Sequence, residues 1–204
     1  MMMRKLLSRL RQDEDGVAAV EFAATATGFL IILMGGFDLG HTLYMQAVLQ
    51  GTLQKAARDS SLATGQETAQ QTSIDARIRA AVRDLNASIP DSDIKITRSA
   101  YKTFTQAQAR MPEDANQDGI CSMGETWIDR NFNNTYDADG GATGQGGAKD
   151  VVVFSVDVSY PRLFPTASLI GLPSTVKLNA TTVLANQPYG DQTTTTGSLA
   201  PKPC

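Results

Sequence analysis

Little in this chain can carry redox or acid–base chemistry. Its 204 residues include two cysteines, one histidine and one tryptophan. Cys121 and Cys204 are too few for a disulfide scaffold and have no zinc-ligand spacing. In an oxidising exported compartment they would form one bond; the rivals are an intermolecular bond through Cys204 or two free thiols. His41 stands three residues after Asp38, a spacing more typical of a solvated helix face than of a catalytic or metal centre. No Ser/His or Cys/His pairing is present, and the glycine-rich run 140–147 lacks the lysine and following helix of a P-loop. A basic excess is also missing: 18 Lys and Arg against 21 Asp and Glu give a net charge of −3, so the chain lacks the footprint of nucleic-acid binding. Hydrophobic residues make up 42%, which argues against wholesale disorder.

What is present is one long apolar run behind a charged leader. Arg4, Lys5, Arg9 and Arg11 precede Asp13, Glu14 and Asp15. Gly16 follows, and then Val17 to Phe37, roughly 21 residues, long enough as a helix to cross a bilayer core. No basic residue follows the run until Lys55, so the positive-inside rule puts the N-terminus in the cytoplasm and the rest outside. Glu21 interrupts the run about one turn in, near the headgroups, where a carboxylate is tolerated. An ordinary signal peptide is cut beyond its apolar core. Here a cut after Gly16 would leave the membrane helix on the mature protein, with Glu21 as its fifth residue. The plainer alternative is an uncleaved signal anchor.

The order of leader, Gly16, Val17, Glu21-Phe22 and long helix resembles the type IV pilin-like proteins, and more closely the TadE-like minor pilins (pseudopilins) of tight-adherence (Tad) pilus systems. The resemblance covers residues 4 to about 60. It implies trimming by a prepilin peptidase after Gly16, then pairing of Glu21 with the freed amine of Val17 on a neighbouring subunit. In a low-dielectric bundle each charge would relieve the other's desolvation. It further implies a single-pass protein of the bacterial inner membrane, surrounded by lipid and partnered by other pilin and minor pilin subunits.

Periodicity gives an α+β fold. The first helix runs on through Met45, Leu49, Leu53 and Ala56 to about Ser61. Gly36 and Gly40 lie at the membrane exit, where they more often bend a helix than pack it. Thr64-Gly65-Gln66 breaks the helix. Thr68-Ala69-Gln70-Gln71 then fits a capping box opening a second amphipathic helix, through Ile74, Ile78, Val82 and Leu85 to Pro90. Beyond Pro90 the period becomes two. Strands are predicted over Asp93–Phe104, Asp150–Tyr160 and Val176–Ala185, with the helices on one face of a small antiparallel sheet. The expected division is leader 1–16, membrane helix 17–37, exported pilin-like domain 38–186 and flexible tail 187–204.

The stretch 111–149 is too long for an idle loop. Asp114, Asn116 and Asp118 occupy positions 1, 3 and 5 of an EF-hand calcium loop. Gly119 stands at the turn, Ile120 and Ser122 at 7 and 9, and Glu125 at 12. A weaker copy follows: Asp129, Asn131, Asn133, Thr135 and Asp137 at 1, 3, 5, 7 and 9, with Asn134 for the glycine. Gly140 stands at 12, so Asp139 would have to substitute. Alternating oxygen ligands suit a hard cation, and the pattern predicts one Ca²⁺, with room for two. The flanks do not read as EF-hand helices, so the likeness is to the loop alone.

Two functions follow. One is a structural minor pilin-like subunit stabilised by calcium. The other is a membrane-anchored, calcium-dependent adhesin or binding module without prepilin processing. An enzyme finds no residue in its favour.

Overall fold

A computed structural model describes residues 16–62, 67–164, 166–169, 171–187 and 200–204. The leader through Asp15, the predicted break at Thr64-Gly65-Gln66 and most of the tail lie outside these residues. The order is α1 (Val17–Ser60), α2 (Thr68–Leu85), β1 (Ile94–Tyr101), α3 (Phe104–Ala109), β2 (Thr126–Trp127), β3 (Ala142–Thr143), β4 (Val151–Pro161), α4 (Thr166–Leu169), β5 (Thr175–Ala185) and β6 (Lys202–Pro203). The fold is α+β. It divides into two units, Met1–Leu43 with Pro161–Val176, and Tyr44–Tyr160 with Lys177–Cys204.

In the first unit, the described part of α1 shows apolar side chains on every face. Val20, Phe22, Phe29, Ile32 and Phe37 are all exposed, and none of its most apolar window is buried. This is one helix long and apolar enough to span a membrane. Asp38 is buried. Its carboxylate accepts from the segment after β4, from Arg162 Nη1 and, at 3.2 Å, from the Leu163 amide. Arg162 Nε donates to the Pro173 carbonyl at 2.9 Å, closing that segment on itself.

The second unit holds the core. Met45, Leu49, Leu53 and Ala56 of α1 are buried together with Ile74, Ile78 and Val82 of α2, each set spaced by one helical turn. The expected capping box is not made. Thr68 is already the first helical residue, Glu67 takes the cap position, and no side chain caps it. The helix ends at Leu85, short of Pro90, because the Asn86 side chain accepts from the Ser88 amide and hydroxyl and competes with further helix.

The four-stranded sheet has the order β3-β1-β4-β5. Strands β1 and β4 are antiparallel, from Ile94 opposite Val158 to Tyr101 opposite Val151. On β4, Val152, Phe154, Val156, Val158 and Tyr160 are almost wholly buried, as the period of two requires. At the start of β4 the second face is covered too: Val151 and Val153 cluster with Tyr101 and with Ala107 of α3. Helix α3 replaces the predicted end of the first strand at Phe104; Thr103 caps it by accepting from the Gln106 amide at 3.2 Å. Helix α2 is tied to the sheet by Arg98, which pairs with Asp75 at 2.5 Å and lies over the Phe154 ring at 4.2 Å.

Candidate metal centre

The stretch between α3 and β4 is built from two turns of the same design. Asp114 Oδ2 accepts from the amides of Asp118 at 2.7 Å and Gly119 at 3.3 Å. Asn116 Oδ1 accepts from Asp118 N at 3.2 Å, and Asp118 Oδ1 from Ile120 N at 2.8 Å. In the second copy Asp129 accepts from Asn133 N at 3.1 Å and Asn134 N at 2.9 Å. Asn131 Oδ1 and Asn133 Oδ1 then accept from Asn133 N at 3.0 Å and Thr135 N at 2.8 Å. The backbone repeats as well. Gln117 and Phe132, at position 4, have φ of 61° and 60°, and Gly119 and Asn134, at position 6, have 82° and 64°. Asparagine tolerates this left-handed conformation better than most residues, which is how the second turn dispenses with glycine.

The oxygens differ more than the backbones. In the first loop, Glu125 at position 12 bends back: its Oε1 accepts from Asn116 Nδ2 at 2.9 Å and its Oε2 from Ser122 N at 3.0 Å. Asn116 Nδ2 also donates to Asp118 Oδ2 at 2.9 Å. An amide N–H₂ thus lies between two carboxylates, where a cation would take its place. Ile120 and Ser122 lie at the exposed side of this loop. In the second loop, Asn131 and Asn133 both donate to Asp137 Oδ2 at 2.7 Å. Asp139 is not part of that group. Its carboxylate accepts from Tyr101 Oη at 2.9 Å, Ser99 Oγ at 3.2 Å and Gly141 N at 3.1 Å. Gly140 shows why position 12 has no side chain there: its φ is +68°, and a Cβ would stand 2.4 Å from the Met111 carbonyl oxygen.

Three residues that sequence reasoning missed hold the loops together. Glu113, fully buried, accepts from the amides of Arg130 at 2.8 Å and Asp137 at 3.1 Å, and its burial pushes its carboxyl above the usual range. Tyr136 donates to Asp114 Oδ1 at 2.8 Å; burial and that carboxylate push the phenol up to about 12. Lys202 donates to Asp129 Oδ2 at 2.6 Å and Asn134 Oδ1 at 2.9 Å. Burial pushes Asp114 and Asp129 upward, but their hydrogen bonds outweigh it. Tyr136 and the loop amides hold Asp114 below the usual carboxylate range, and Lys202 and the loop amides do the same for Asp129. Glu113 could be noticed as an acid just before the motif, whereas nothing in spacing links Lys202 to Asp129.

The tail is fixed here. Strand β6 pairs with β2, Lys202 opposite Trp127, and Cys204 is disulfide-bonded to Cys121 inside the first loop. Lys202 Nζ lies 4.7 Å over the Trp127 ring, and Trp127 meets Tyr136 edge-on at 6.1 Å. The far end of the predicted flexible tail is therefore a short strand.

The donor set is all oxygen, as calcium requires. Among the described residues no three Asp, Glu, His or Cys side chains are gathered closely enough to hold an ion. In the first loop Asp118 and Glu125 are instead bridged by the Asn116 amide, and in the second both asparagine amides are taken by Asp137. At the other end of the chain, the Gly16 carbonyl accepts from Val20 N at 3.1 Å. Val17 opens α1, and Val17 and Phe22 are exposed; so is Glu21, four residues on.

Residues 16–58 match the family model described as TadE-like protein. The match covers most of α1 and none of the sheet or the acidic loops. No curated protein and no solved structure matches the chain.

Proposed function

We propose that this chain, TadE-like over residues 16–58, is a membrane-anchored structural subunit of a Tad pilus assembly, trimmed after Gly16 by a prepilin peptidase. The observation that carries the reading is the coincidence of that match with an all-round exposed apolar helix whose one early carboxylate is Glu21. Cleavage would free an ammonium at Val17. On a neighbouring subunit's helix it would meet Glu21, compensating a charge that lipid disfavours and fixing the axial register between subunits. The N-terminus lies in the cytoplasm, and the domain beyond the span is exported through the inner membrane, in line with the basic leader. The work is mechanical rather than enzymatic. N-terminal sequencing of the protein recovered from membranes with an active prepilin peptidase gives Val17 as the first residue; retention of Met1 selects the plain anchor instead.

Calcium is the second part of the proposal. Asp114, Asn116, Asp118, the Ile120 carbonyl, Ser122 and Glu125 would hold one Ca²⁺. The ion would neutralise clustered acids and lock the loop onto the disulfide. The expected affinity is that of extracellular modules, on the order of 10⁻⁴ to 10⁻³ M. Millimolar Ca²⁺ raises the thermal midpoint of the full chain in detergent, and Asp118→Ala with Glu125→Ala removes most of the rise. A midpoint indifferent to Ca²⁺ in the parent chain overturns it. The same loop on a pilus surface would serve an adhesin equally well, and a binding partner of the folded domain would be the observation favouring that role.

A further inference from the structure

Asp38 is the first residue past the apolar run 17–37, and it is buried. As a helix that run is about 31 Å long, the thickness of a bilayer core. Asp38 therefore marks the height at which the span leaves the hydrocarbon. Its carboxylate is taken by the segment that links β4 to β5, within the same unit of the fold. Arg162 Nη1 and the Leu163 amide both donate to it. The base of the segment is closed by the Arg162 amide, which donates to the Ser174 carbonyl at 2.9 Å, and by Arg162 Nε on the Pro173 carbonyl. Farther out, the Leu172 amide donates to the Ala167 carbonyl at 3.0 Å. The segment is thus tied to the end of the span and held at its height. Over Pro161–Val176 the one charged residue is Arg162, which is paired with Asp38. Leu163 and Leu172 are each 47% exposed, and a cavity of about 260 Å³ lies beside Leu163, Phe164 and Ala167.

We propose that Pro161–Val176 is a membrane-surface collar, with its exposed leucines seated on phospholipid at the headgroup–acyl boundary of the leaflet from which the span emerges. This rests on the reading of 17–37 as the membrane anchor, and it needs neither prepilin cleavage nor calcium. Continuity with the span carries it. Phe37 and Leu39 are exposed on either side of Asp38, and the Leu163 amide is bonded to the residue between them. Apolar surface therefore passes from the helix to the segment at one height, while the two charges at the junction, Asp38 and Arg162, are spent on each other. Paired charges are tolerated at the edge of a bilayer far better than single ones. An apolar face that lies against the headgroups is stabilised by the area it removes from water. In that position the collar keeps α1 from sinking into the bilayer and sets its axial depth.

The test uses tryptophan as a depth probe in the full chain reconstituted into phosphatidylcholine vesicles. Trp127 is the one native tryptophan, and Trp127→Phe, which keeps a ring beneath Lys202, supplies a silent background. On that background Leu172→Trp and, separately, Leu163→Trp report on the collar, and Phe29→Trp reports on the span. An intact disulfide and a cooperative thermal transition show that each variant is folded. The collar probes are expected to emit at short wavelength, to lose fluorescence to lipids brominated near the carbonyl end of the acyl chain, and to resist aqueous iodide. Phe29→Trp is expected to lose fluorescence to lipids brominated deep in the chain. Collar probes quenched by iodide and untouched by brominated lipid, with Phe29→Trp quenched as expected, overturn the collar and leave the span standing. A Phe29→Trp untouched by every brominated lipid overturns the span and the collar with it. Collar probes shielded from both quenchers in protein-rich vesicles, and opened to iodide on dilution with lipid, show a second copy covering the face and overturn the lipid contact.

Discussion

Asp129 shows how much one side chain decides here. Its carboxyl and that of Asp114 are held below the ordinary aspartate value of 3.8. Their contribution to stability is therefore complete above that value and is lost as pH falls through the lower folded values. Glu113 has the opposite sign. Its folded value is raised above 4.5, so its contribution is present below that value and fades as pH rises through the folded one. In chelator, the thermal midpoint falls as pH drops below the ordinary aspartate value of 3.8 and the two aspartates protonate, and Asp129→Asn makes that fall shallower while lowering the midpoint at neutral pH. Gly140 is the second decisive residue. Alanine there would combine a left-handed φ of +68° with a 2.4 Å approach to the Met111 carbonyl oxygen. Gly140→Ala should cost about 1–3 kcal/mol in urea unfolding. The acids and the glycine turn of the first loop were legible in the sequence because their spacing is set by local backbone geometry. Tyr136 and Lys202 were not, because each meets its aspartate across a fold.

Among the elements, α1 changes character along its length. Up to Leu43 its apolar side chains are exposed all round, and from Met45 one stripe of them is buried. No local signal stops the helix between: Gly35, Gly36 and Gly40 have open space about them, and the helix passes through without a break. The buried stripe carries stability. Leu53 has no exposed surface, and Leu53→Ala should cost about 2–5 kcal/mol in the same unfolding measurement, with membrane insertion unaltered. Glu21→Ala belongs to the other half: insertion and monomer stability are unchanged, and recovery in pilus-associated complexes is lost. Normal recovery in a pull-down with other pilins would refute the pairing at Val17. The three long strands β1, β4 and β5 were readable from alternation; the two-residue strands β2, β3 and β6 were not, being too short to show a period. Helix α3 was not, because six residues from Phe104 with a threonine cap show no periodicity longer than the turn itself.

At the level of the whole molecule, the last residues close a loop over a sequence separation of 83. Cross-linking over such a span restricts the unfolded chain, and losing it should cost about 2–5 kcal/mol. Cys204→Ser, or a dithiol reductant, lowers the thermal midpoint, and the lowering is larger with Ca²⁺ present because the strap holds the first loop; an equal loss with and without the ion would separate the two. Patterns among near neighbours set the apolar helix and its early carboxylate, the period of the three long strands and the oxygen spacing of the loops, since local geometry converts each directly into structure. Tertiary packing alone chose the donor that each acid meets: Arg162 for Asp38, Tyr136 for Asp114, Lys202 for Asp129. Those partners lie tens of residues or more along the chain, and the register that joins them comes from strand pairing and burial, which no short-range spacing encodes.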